Sequence, residues 1–319
     1  MNELTKTELK IIAKAGNENI AVVYVAEING KKIEFVESIQ PPIPREKKWV
    51  IIISSLFGCP VECKFCDAGG KYTGKLSKEE LLTQIDFLVK NRFKSNNPEC
   101  EKFKIQFARI GEPAFNKNVL EVLKKLPLLY KNTTIMPSIS TIAPVGCDEF
   151  FKELISIKNN FYKENFQLQF SIHNTDEEIR NQLIPVKKWS FEQIKEYGTA
   201  FYQRGERRIT LNFAIKNDTA IDKQVLLKYF DPEIFLIKIT PINPTHKALD
   251  NNLFSTLNVE HLNNSLVKEL KNVGYQVILS IGELEENNIG SNCGQYISNI
   301  EQNLKKQISS YSYKLEKFI

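Results

Sequence analysis

Three cysteines lie close together in the segment Cys59-Pro-Val-Glu-Cys63-Lys-Phe-Cys66. Three thiolates in one short loop can surround a small inorganic centre. Zinc is one candidate, but a closed structural zinc site needs a fourth ligand, and no further Cys or His follows nearby. A [4Fe–4S] cluster is the other candidate, because one of its four irons can remain without a protein ligand. The ligand count therefore favours the cluster, with Cys59, Cys63 and Cys66 as its ligands.

An iron without a protein ligand could bind the amino and carboxylate groups of S-adenosylmethionine. An electron from the cluster would then cleave the sulfonium and give a 5′-deoxyadenosyl radical. Glu112, in Gly111-Glu112-Pro113, could accept hydrogen bonds from the ammonium group of this molecule, although Gly and Pro also suit an ordinary tight turn. Polar residues that follow later strands could be caps or turn residues instead of ligands. They are Ser138, Ser171, His173 and Asn243.

Hydrophobic patterning predicts the elements that carry these residues. Ile20–Ala26 and Lys32–Val36 flank Asn29-Gly30, which is typical of a β-hairpin with a type I′ turn. A capping box, Ser77-x-x-Glu80, predicts a helix that continues to about Lys90. The other predicted strands are Trp49–Ser54, Phe103–Ile110, Thr134–Ser140, Gln167–Ser171, Arg208–Ile215, Ile234–Thr240 and Tyr275–Ser280. The other predicted helices are Val119–Leu126, Asp148–Ile157, Phe191–Arg204, Ile221–Phe230 and Val259–Asn272.

Strict alternation of strands and helices implies a parallel sheet with right-handed crossovers, either a barrel or a doubly wound sheet. In both architectures the chemistry lies at the carboxyl ends of the strands, where the candidate residues are expected. The sequence therefore predicts an α/β core over residues 49–296. An N-terminal hairpin extension would occupy residues 1–48, and a C-terminal helix would occupy residues 297–319.

Composition limits the class of protein. The chain has 319 residues, of which 42% are hydrophobic and 25% charged, as in a folded protein rather than a disordered one. The net charge of +5 is too small to indicate nucleic-acid binding by itself. The sequence contains no bilayer-spanning apolar run and no signal-peptide pattern at its start. We therefore expect a cytoplasmic protein that does not bind membranes.

Together these motifs resemble the RlmN/Cfr family of radical SAM methyl synthases, which methylate ring carbons of a ribosomal RNA adenine. The resemblance extends from about Val36 to Tyr296, and it implies a partial (β/α)6 TIM-like barrel of the radical SAM type. The Cys-Gly-Gln motif is the most specific part, because it distinguishes this family from other radical SAM enzymes. The matching segments are Ile53–Cys66, Gly111–Asn116, Ser138–Thr141, Ser171–Pro185, Ile242–Pro244 and Asn292–Gln295.

The resemblance also implies roles for single residues. Cys293 would carry the methyl group, because a thiolate is a good nucleophile toward the sulfonium methyl of one S-adenosylmethionine. The radical from a second S-adenosylmethionine would take a hydrogen from the S-methyl, and the resulting carbon radical would add to an sp² ring carbon. Glu37 matches an acidic residue that serves the family as a proton acceptor, although a solvated strand carboxylate is the ordinary alternative. The implied S-adenosylmethionine contacts are Gly111, Glu112, Ser138, Ser171, Ile172, His173 and Asn243.

One departure from the family pattern concerns a second cysteine. The family normally has it seven residues before the first cluster cysteine, where this chain has Ile52. In the family that thiol helps to break the covalent link between enzyme and substrate. We hypothesise that Cys147 or Glu37 replaces it, because Cys147 precedes a predicted helix whose N-terminus would lower the pKa of the thiol. A buried cysteine at a helix start is the ordinary alternative.

The second departure concerns the N-terminus, where about 19 residues precede the hairpin and leave no room for the family's helical RNA-binding domain. We expect methylation of an sp² carbon through Cys293, with RNA adenine as a possible substrate. The alternatives are radical SAM methylation or other radical chemistry on a peptide or small heteroaromatic molecule, and a binding protein with a structural metal site. The expected partner is a reductant such as flavodoxin or ferredoxin, and we expect a monomer.

Overall fold

A computed structural model of the chain describes residues 8–39, 42–216, 219, 221–253, 266–280, 284–291, 295–297, 300 and 312–318. The described strands are β1 (Leu9–Asn17), β2 (Ala21–Ile28), β3 (Lys31–Ser38), β4 (Lys48–Ile53), β5 (Leu56–Cys59), β6 (Gly70–Lys75), β7 (Lys102–Phe107), β8 (Thr134–Thr141), β9 (Gln167–Ser171), β10 (Ile209–Ile215), β11 (Phe235–Pro241), β12 (Val277–Leu279) and β13 (Glu316–Lys317). The described helices are α1 (Lys78–Arg92), α2 (Asn118–Leu129), α3 (Asp148–Ile157), α4 (Glu177–Leu183), α5 (Phe191–Phe201), α6 (Lys223–Tyr229), α7 (His246–Asp250), α8 (Leu266–Asn272) and α9 (Leu284–Ile289).

The main sheet is an open, rolled sheet. Its strands follow the order β12-β11-β10-β9-β8-β7-β4-β3-β2-β1-β13. The strands from β12 to β4 run parallel to their neighbours, and the strands from β4 to β13 pair antiparallel. Residues of β4 and of β12 line one common cavity, so the parallel part curves around a lumen. The prediction of a partial barrel is therefore confirmed.

The two faces of the parallel strands differ because side chains alternate along a strand. Ile51 and Ile105 point outward and are fully buried in the main apolar cluster, together with Leu81 of α1 and Leu123 of α2. The alternate positions face the lumen and include many polar residues, so the helices pack on the outside and the lumen remains available for a site. The lumen-side polar residues of the first strands include Lys104, Gln106 and Ser138.

The predicted hairpin is confirmed as β2 and β3. Asn29 and Gly30 connect the strands with φ angles of 51° and 75°, as a type I′ turn requires. A third strand, β1, pairs with β2 and was not predicted, because Ala13 and Ala15 are the only residues of Leu9–Asn17 that are fully buried. Two alanines separated by Lys14 give only a weak apolar alternation, so the sequence does not indicate a strand here.

Helix α1 begins at the capping box that the sequence predicts. At the N-terminus of α1, Ser77 Oγ accepts a hydrogen bond from Glu80 N at 3.1 Å, and Glu80 Oε2 accepts one from Ser77 N at 2.7 Å. The predicted capping box is therefore confirmed. The predicted helix Val259–Asn272 is described only over Leu266–Asn272, and its first half lies outside the described residues.

The expected helix over residues 297–319 does not extend to the end of the chain. Glu316–Lys317 instead forms β13, which pairs antiparallel with β1 at Ala13 and Lys14. The physical reason is that β1 would otherwise leave an edge of unpaired backbone groups, which a short extended segment can satisfy. In the part of the chain that the structure describes, no helix is both long and apolar enough to cross a bilayer.

Candidate active site at the carboxyl ends of the barrel strands

The cysteine loop is closed at its base by a small antiparallel sheet. β5 ends at Cys59, which pairs with Gly70 at the start of β6. Gly58 has a φ of +74°, and a Cβ atom there would lie 2.4 Å from the Lys71 carbonyl oxygen, so only glycine fits. β6 was not predicted, because Gly70–Lys75 carries no apolar alternation, and the structure shows the strand largely exposed.

The three thiols share one environment. Cys59 is buried, Cys63 and Cys66 are half-buried, and all three pack in a small apolar cluster with Ile142 and Ile184. Burial raises the pKa of Cys63 well above its ordinary value, and the charges of Cys66 and Cys59 raise it further. Three mutually repelling thiolates in an apolar setting are the donor set that a positively charged iron–sulfur centre would stabilise. Within the described ranges, no group of at least three thiol, imidazole or carboxylate side chains is arranged so that it could hold a metal ion.

Residues near the end of β11 anchor the cysteine loop. The Asp67 carboxylate accepts hydrogen bonds from His246 N at 3.2 Å and Lys247 N at 2.9 Å. Thr245 Oγ1 donates to the Phe65 carbonyl oxygen at 2.8 Å. Asp67 and Thr245 were not singled out from the sequence, since an Asp next to a cysteine and a Thr at a helix start are common. Predicted Asn243 lies in the same turn, so this turn faces the cysteine loop.

Glu112 joins the ends of two neighbouring strands. Its Oε1 atom accepts hydrogen bonds from Thr141 Oγ1 at 2.5 Å and Ala114 N at 3.0 Å, and its Oε2 atom accepts one from Ile142 N at 2.9 Å. Burial raises the pKa of this carboxyl to about 7, against the opposing effect of these hydrogen bonds. Its charge also raises the pKa of Cys63. The predicted Glu112 therefore lies beside the cysteine loop.

Gly111 and Ser138 complete this side of the site. Gly111 has a φ of +99°, and a Cβ atom there would lie 2.5 Å from the Leu56 side chain, so the backbone approaches β5 closely. Ser138 on β8 is fully buried, and its Oγ atom has no hydrogen-bond partner within the described residues. A buried hydroxyl without a partner is costly, so a polar group of a bound molecule would stabilise it. Both observations fit a bound polar ligand.

His173 connects the end of β9 to the cysteine loop. Its φ is +63°, an unusual value for a residue with a side chain, and the nitrogens of Ile172 and His173 both donate to the Asn212 carbonyl oxygen. The Nδ1 atom accepts a hydrogen bond from Ala214 N at 2.9 Å, so Nε2 carries the proton. The ring packs edge-on against Phe65 at 4.8 Å between centroids. The predicted Ser171, Ile172 and His173 therefore lie at one strand end near the cysteines.

His173 gives a testable pH dependence of stability. Burial lowers its pKa from the ordinary 6.5 to about 3, so only the unfolded chain takes up this proton between those pH values. Stability from this group is complete above pH 6.5 and is lost as pH falls toward 3. We expect the free energy of unfolding lost on His173→Gln substitution to be smaller at pH 4.5 than at pH 7 by roughly 2.5 kcal/mol. Urea unfolding at both values measures this, and His246→Gln is the matched control. An equal loss at both pH values would contradict the prediction.

Glu37 lies on the other face of the sheet. Its carboxylate accepts hydrogen bonds from Arg92 Nε of α1 at 2.7 Å and from Trp49 Nε1 at 3.0 Å. Position 52, by contrast, lines the lumen. Glu37 is opposite Ile51 in the ladder, and neighbouring positions along a strand face opposite sides. Glu37 is thus buried and paired with arginines, and the structure does not bring it to the cysteine loop.

Cys147 lies at the start of α3, on the same side of the barrel as Glu112. Burial raises the pKa of its thiol to about 11, and the Glu112 carboxylate adds to this effect. The expected lowering of this pKa by the helix N-terminus is therefore wrong. Desolvation of the thiolate exceeds the helix-terminus effect, because the side chain packs against the main apolar cluster.

Cys293 lies outside the described residues, but one buried ion pair contacts described residues that precede and follow it in the chain. Arg109 Nε and Nη2 donate to Glu34 Oε2 at 3.1 and 2.5 Å. Arg109 Nη1 also donates to the carbonyl oxygens of Gly290 and Ser291, and Glu34 Oε1 accepts from Ile297 N at 2.7 Å. Neither Arg109 nor Glu34 was predicted as a functional residue, because the pairing joins positions far apart in the chain. The pair contacts Gly290 and Ser291 on one side of Cys293 in the sequence and Ile297 on the other.

No protein-family model matches the chain. A "Probable dual-specificity RNA methyltransferase RlmN" from Chlorobium phaeobacteroides (strain DSM 266) is 28% identical over 211 residues, which cover 63% of this chain and 55% of that protein. A protein of the same description from Thermus thermophilus is 25% identical over 296 residues, which cover 91% of this chain and 78% of that protein. The chain thus spans little more than half the length of the first relative.

The structural comparison concerns the fold. The crystal structure of a radical SAM methyltransferase from Sphaerobacter thermophilus matches with a TM-score of 0.69 and 19% sequence identity, covering 91% of this chain and 81% of that one. The sequence matches and the structural match are thus both to proteins described as methyltransferases. The chain is similar in sequence to RlmN methyltransferases and shares the fold of a radical SAM methyltransferase.

Proposed function

We propose that this protein is a radical SAM methyltransferase that holds a [4Fe–4S] cluster on Cys59, Cys63 and Cys66. The observation that carries the proposal is the position of the cysteine loop, which lies beside Glu112 and His173 where parallel strands end. The cluster, when bound, supplies the electron that cleaves S-adenosylmethionine. A reductant such as flavodoxin or ferredoxin would provide that electron.

The residues around the loop would bind and orient S-adenosylmethionine. Glu112 Oε2 accepts one hydrogen bond and keeps capacity for another, which suits the ammonium group of the methionine moiety. Ser138 Oγ would gain the partner that it lacks. Ile142 and Ile184 of the apolar cluster around the thiols would exclude water from the reacting groups. The remaining proposed contacts are Gly111, Ser171, Ile172, His173 and Asn243.

Cys293 is the proposed methyl carrier. Its thiolate would form a bond to the sulfonium methyl carbon, while the bond from that carbon to the sulfonium sulfur breaks and S-adenosylhomocysteine leaves. The Glu34–Arg109 pair would help to position this cysteine, because it holds Ser291 before it and Ile297 after it in the chain. Because the relatives are described as RNA methyltransferases, an sp² carbon of an RNA adenine is the proposed substrate atom.

The test uses the full-length protein, purified and reconstituted without oxygen, with S-adenosylmethionine, a reductant and a ribosomal RNA fragment. We expect formation of 5′-deoxyadenosine, a mass increase of one methylene on the Cys293 peptide, and labelled methyl in the RNA. Cys293→Ala should lose the last two signals, while Cys100→Ala should keep all three. Absence of 5′-deoxyadenosine would contradict the radical SAM proposal. Its formation without a modified Cys293 would contradict the methyl-carrier role, and methylated Cys293 without labelled RNA would contradict RNA as the substrate.

A further inference from the structure

A cavity of about 880 Å³ lies in the lumen and extends along the barrel strands. Ile52 and Leu279 line it near the carboxyl ends of β4 and β12. Lys48 is the first residue of β4, Gln167 is the first residue of β9, and Lys104 is the third residue of β7, so this part of the cavity lies toward the amino-terminal end of the barrel, which is remote from Cys59. A volume of this size is typical of pockets that hold small organic molecules.

Cations from several strands surround this cavity. Lys104 of β7 and Lys238 of β11 face it from the middle of their strands, Lys48 faces it from β4, and Arg207 and Arg208 approach from the turn before β10. These residues come from separate parts of the chain, so only the rolled sheet brings them together. Like charges at one cavity repel each other, and this repulsion would be removed by an anion.

Two carboxylates, Glu206 and Glu286, also border the cavity, and both accept hydrogen bonds from other residues. Glu206 accepts hydrogen bonds from Lys158 Nζ at 2.5 Å and from Gln203 N at 3.3 Å. Glu286 accepts one from Ser38 Oγ at 3.2 Å. The described charges around the cavity therefore sum to a positive value.

Lys104 is the central cation. Among the residues that the structure describes, its ammonium group has no hydrogen-bond acceptor and no carboxylate partner. Burial lowers its pKa to about 7, and the charges of Lys48, Lys238 and Arg207 lower it further. A desolvated amine without a partner costs free energy, whereas an apolar residue at this position would not. An anion in the cavity would supply the missing acceptor.

We propose that the part of this cavity around Lys48, Lys104 and Lys238 binds a small organic molecule that carries a phosphoryl group. Lys104 would be the central phosphoryl contact. A group with two negative charges and several acceptor oxygens matches convergent lysines and arginines better than a single carboxylate does. The cavity is also larger than a phosphate needs. Its other walls combine apolar Val50 and Leu236 with the side-chain amides of Gln106 and Gln167, which suit the organic part of the molecule.

Binding by the full-length protein can be measured calorimetrically with ribose 5-phosphate and with inorganic phosphate at low ionic strength. We expect Lys104→Met to weaken ribose 5-phosphate binding at least about tenfold. Lys125→Met, on the exposed surface of α2, is the matched control and should leave the affinity unchanged. Inorganic phosphate should bind more weakly than ribose 5-phosphate. No binding, or unchanged binding by Lys104→Met, overturns the site, and equal affinity for both probes overturns the organic ligand.

The pH dependence gives an independent readout with sulfate, which stays a dianion from pH 6 to 9. Lys104 must be protonated to bind it, so affinity should decrease by up to about tenfold per pH unit above pH 7. The other charged groups that face Lys104 across the cavity are Lys48, Lys238, Arg207, Arg208, Glu206 and Glu286. Their contributions persist in Lys104→Met, so a dependence of the same steepness in that variant would contradict the proposal.

Folding of the variant is controlled by thermal unfolding followed by circular dichroism. Lys104→Met should unfold at a temperature equal to or above that of the wild type, because it removes a desolvated amine. If this variant does not fold, Lys238→Met on β11 tests the same site from another strand. We expect it to weaken ribose 5-phosphate binding as well, and unchanged binding would overturn the proposal.

Discussion

Replacement of Cys59, Cys63 or Cys66 by alanine is expected to abolish both iron binding and cleavage of S-adenosylmethionine. The wild type, reconstituted without oxygen, should contain about four irons per chain. Each of the three thiols lies in the same half-buried loop, and two remaining thiolates cannot hold a cluster that already has one iron without a protein ligand. Iron and sulfide analysis, the visible absorbance and 5′-deoxyadenosine formation measure the effect.

Cys100→Ala provides the matched control for these three variants. Cys100 is half-buried as well, and burial raises the pKa of its thiol to about 11, but it lies before β7 at the opposite end of the barrel. We expect this variant to retain iron and activity. Stoichiometric zinc with no iron in the reconstituted wild type would contradict the cluster.

The second large effect is expected for Arg109→Met. Arg109 and Glu34 have side chains that are 1% and 0% exposed, so the substitution leaves a buried carboxylate without its charged partner. Loss of one partner of such a pair typically costs about 3–5 kcal/mol of unfolding free energy. Urea unfolding measures this value. In the double variant Glu34→Gln/Arg109→Met, which removes both charges, a large part of the loss should be restored.

Lys90→Met is the control for a surface pair. Lys90 contacts Asp86 at 2.6 Å, but both side chains are more than half exposed, so we expect a loss below about 1 kcal/mol. Similar losses for Arg109→Met and Lys90→Met would show that the buried pair is not structurally important. Arg109→Met should also lower methylation of Cys293 if the pair positions this cysteine, as proposed above.

The structure argues against both residues that were predicted to replace the family's second cysteine, Glu37 and Cys147. Glu37 faces α1 and is paired with Arg92, and the pKa of Cys147 is raised rather than lowered. Both features oppose a role in proton abstraction at the lumen. Ile52 itself lines the lumen directly opposite Gln106 in the ladder between β4 and β7. A group that acts at this position must therefore reach into the lumen.

The sequence by itself determined the local features of this protein. The hairpin at Asn29-Gly30, the capping box of α1 and the order of strands and helices depend on residues close together in the chain, and local propensity and periodicity report on such residues. The cysteine spacing likewise identified the candidate ligands before any fold was known. Strand ends were sufficient to place Glu112 and His173 near the cysteines, because parallel strands carry their functional residues at one edge.

Only the tertiary structure decided which distant residues meet. Arg109, which follows β7, pairs with Glu34 of β3, although β4 lies between these strands in the sheet. Asp67 accepts hydrogen bonds at the start of a helix that follows β11, and Lys104 interacts electrostatically with Lys238 across the lumen. None of these contacts has a sequence signature, because each depends on how the sheet rolls and on which face a strand position occupies. Glu37 and Ile52 lie on opposite faces of the sheet for the same reason. A shift of one residue along a strand moves a side chain to the other side of the sheet, and backbone pairing, rather than composition, sets that register.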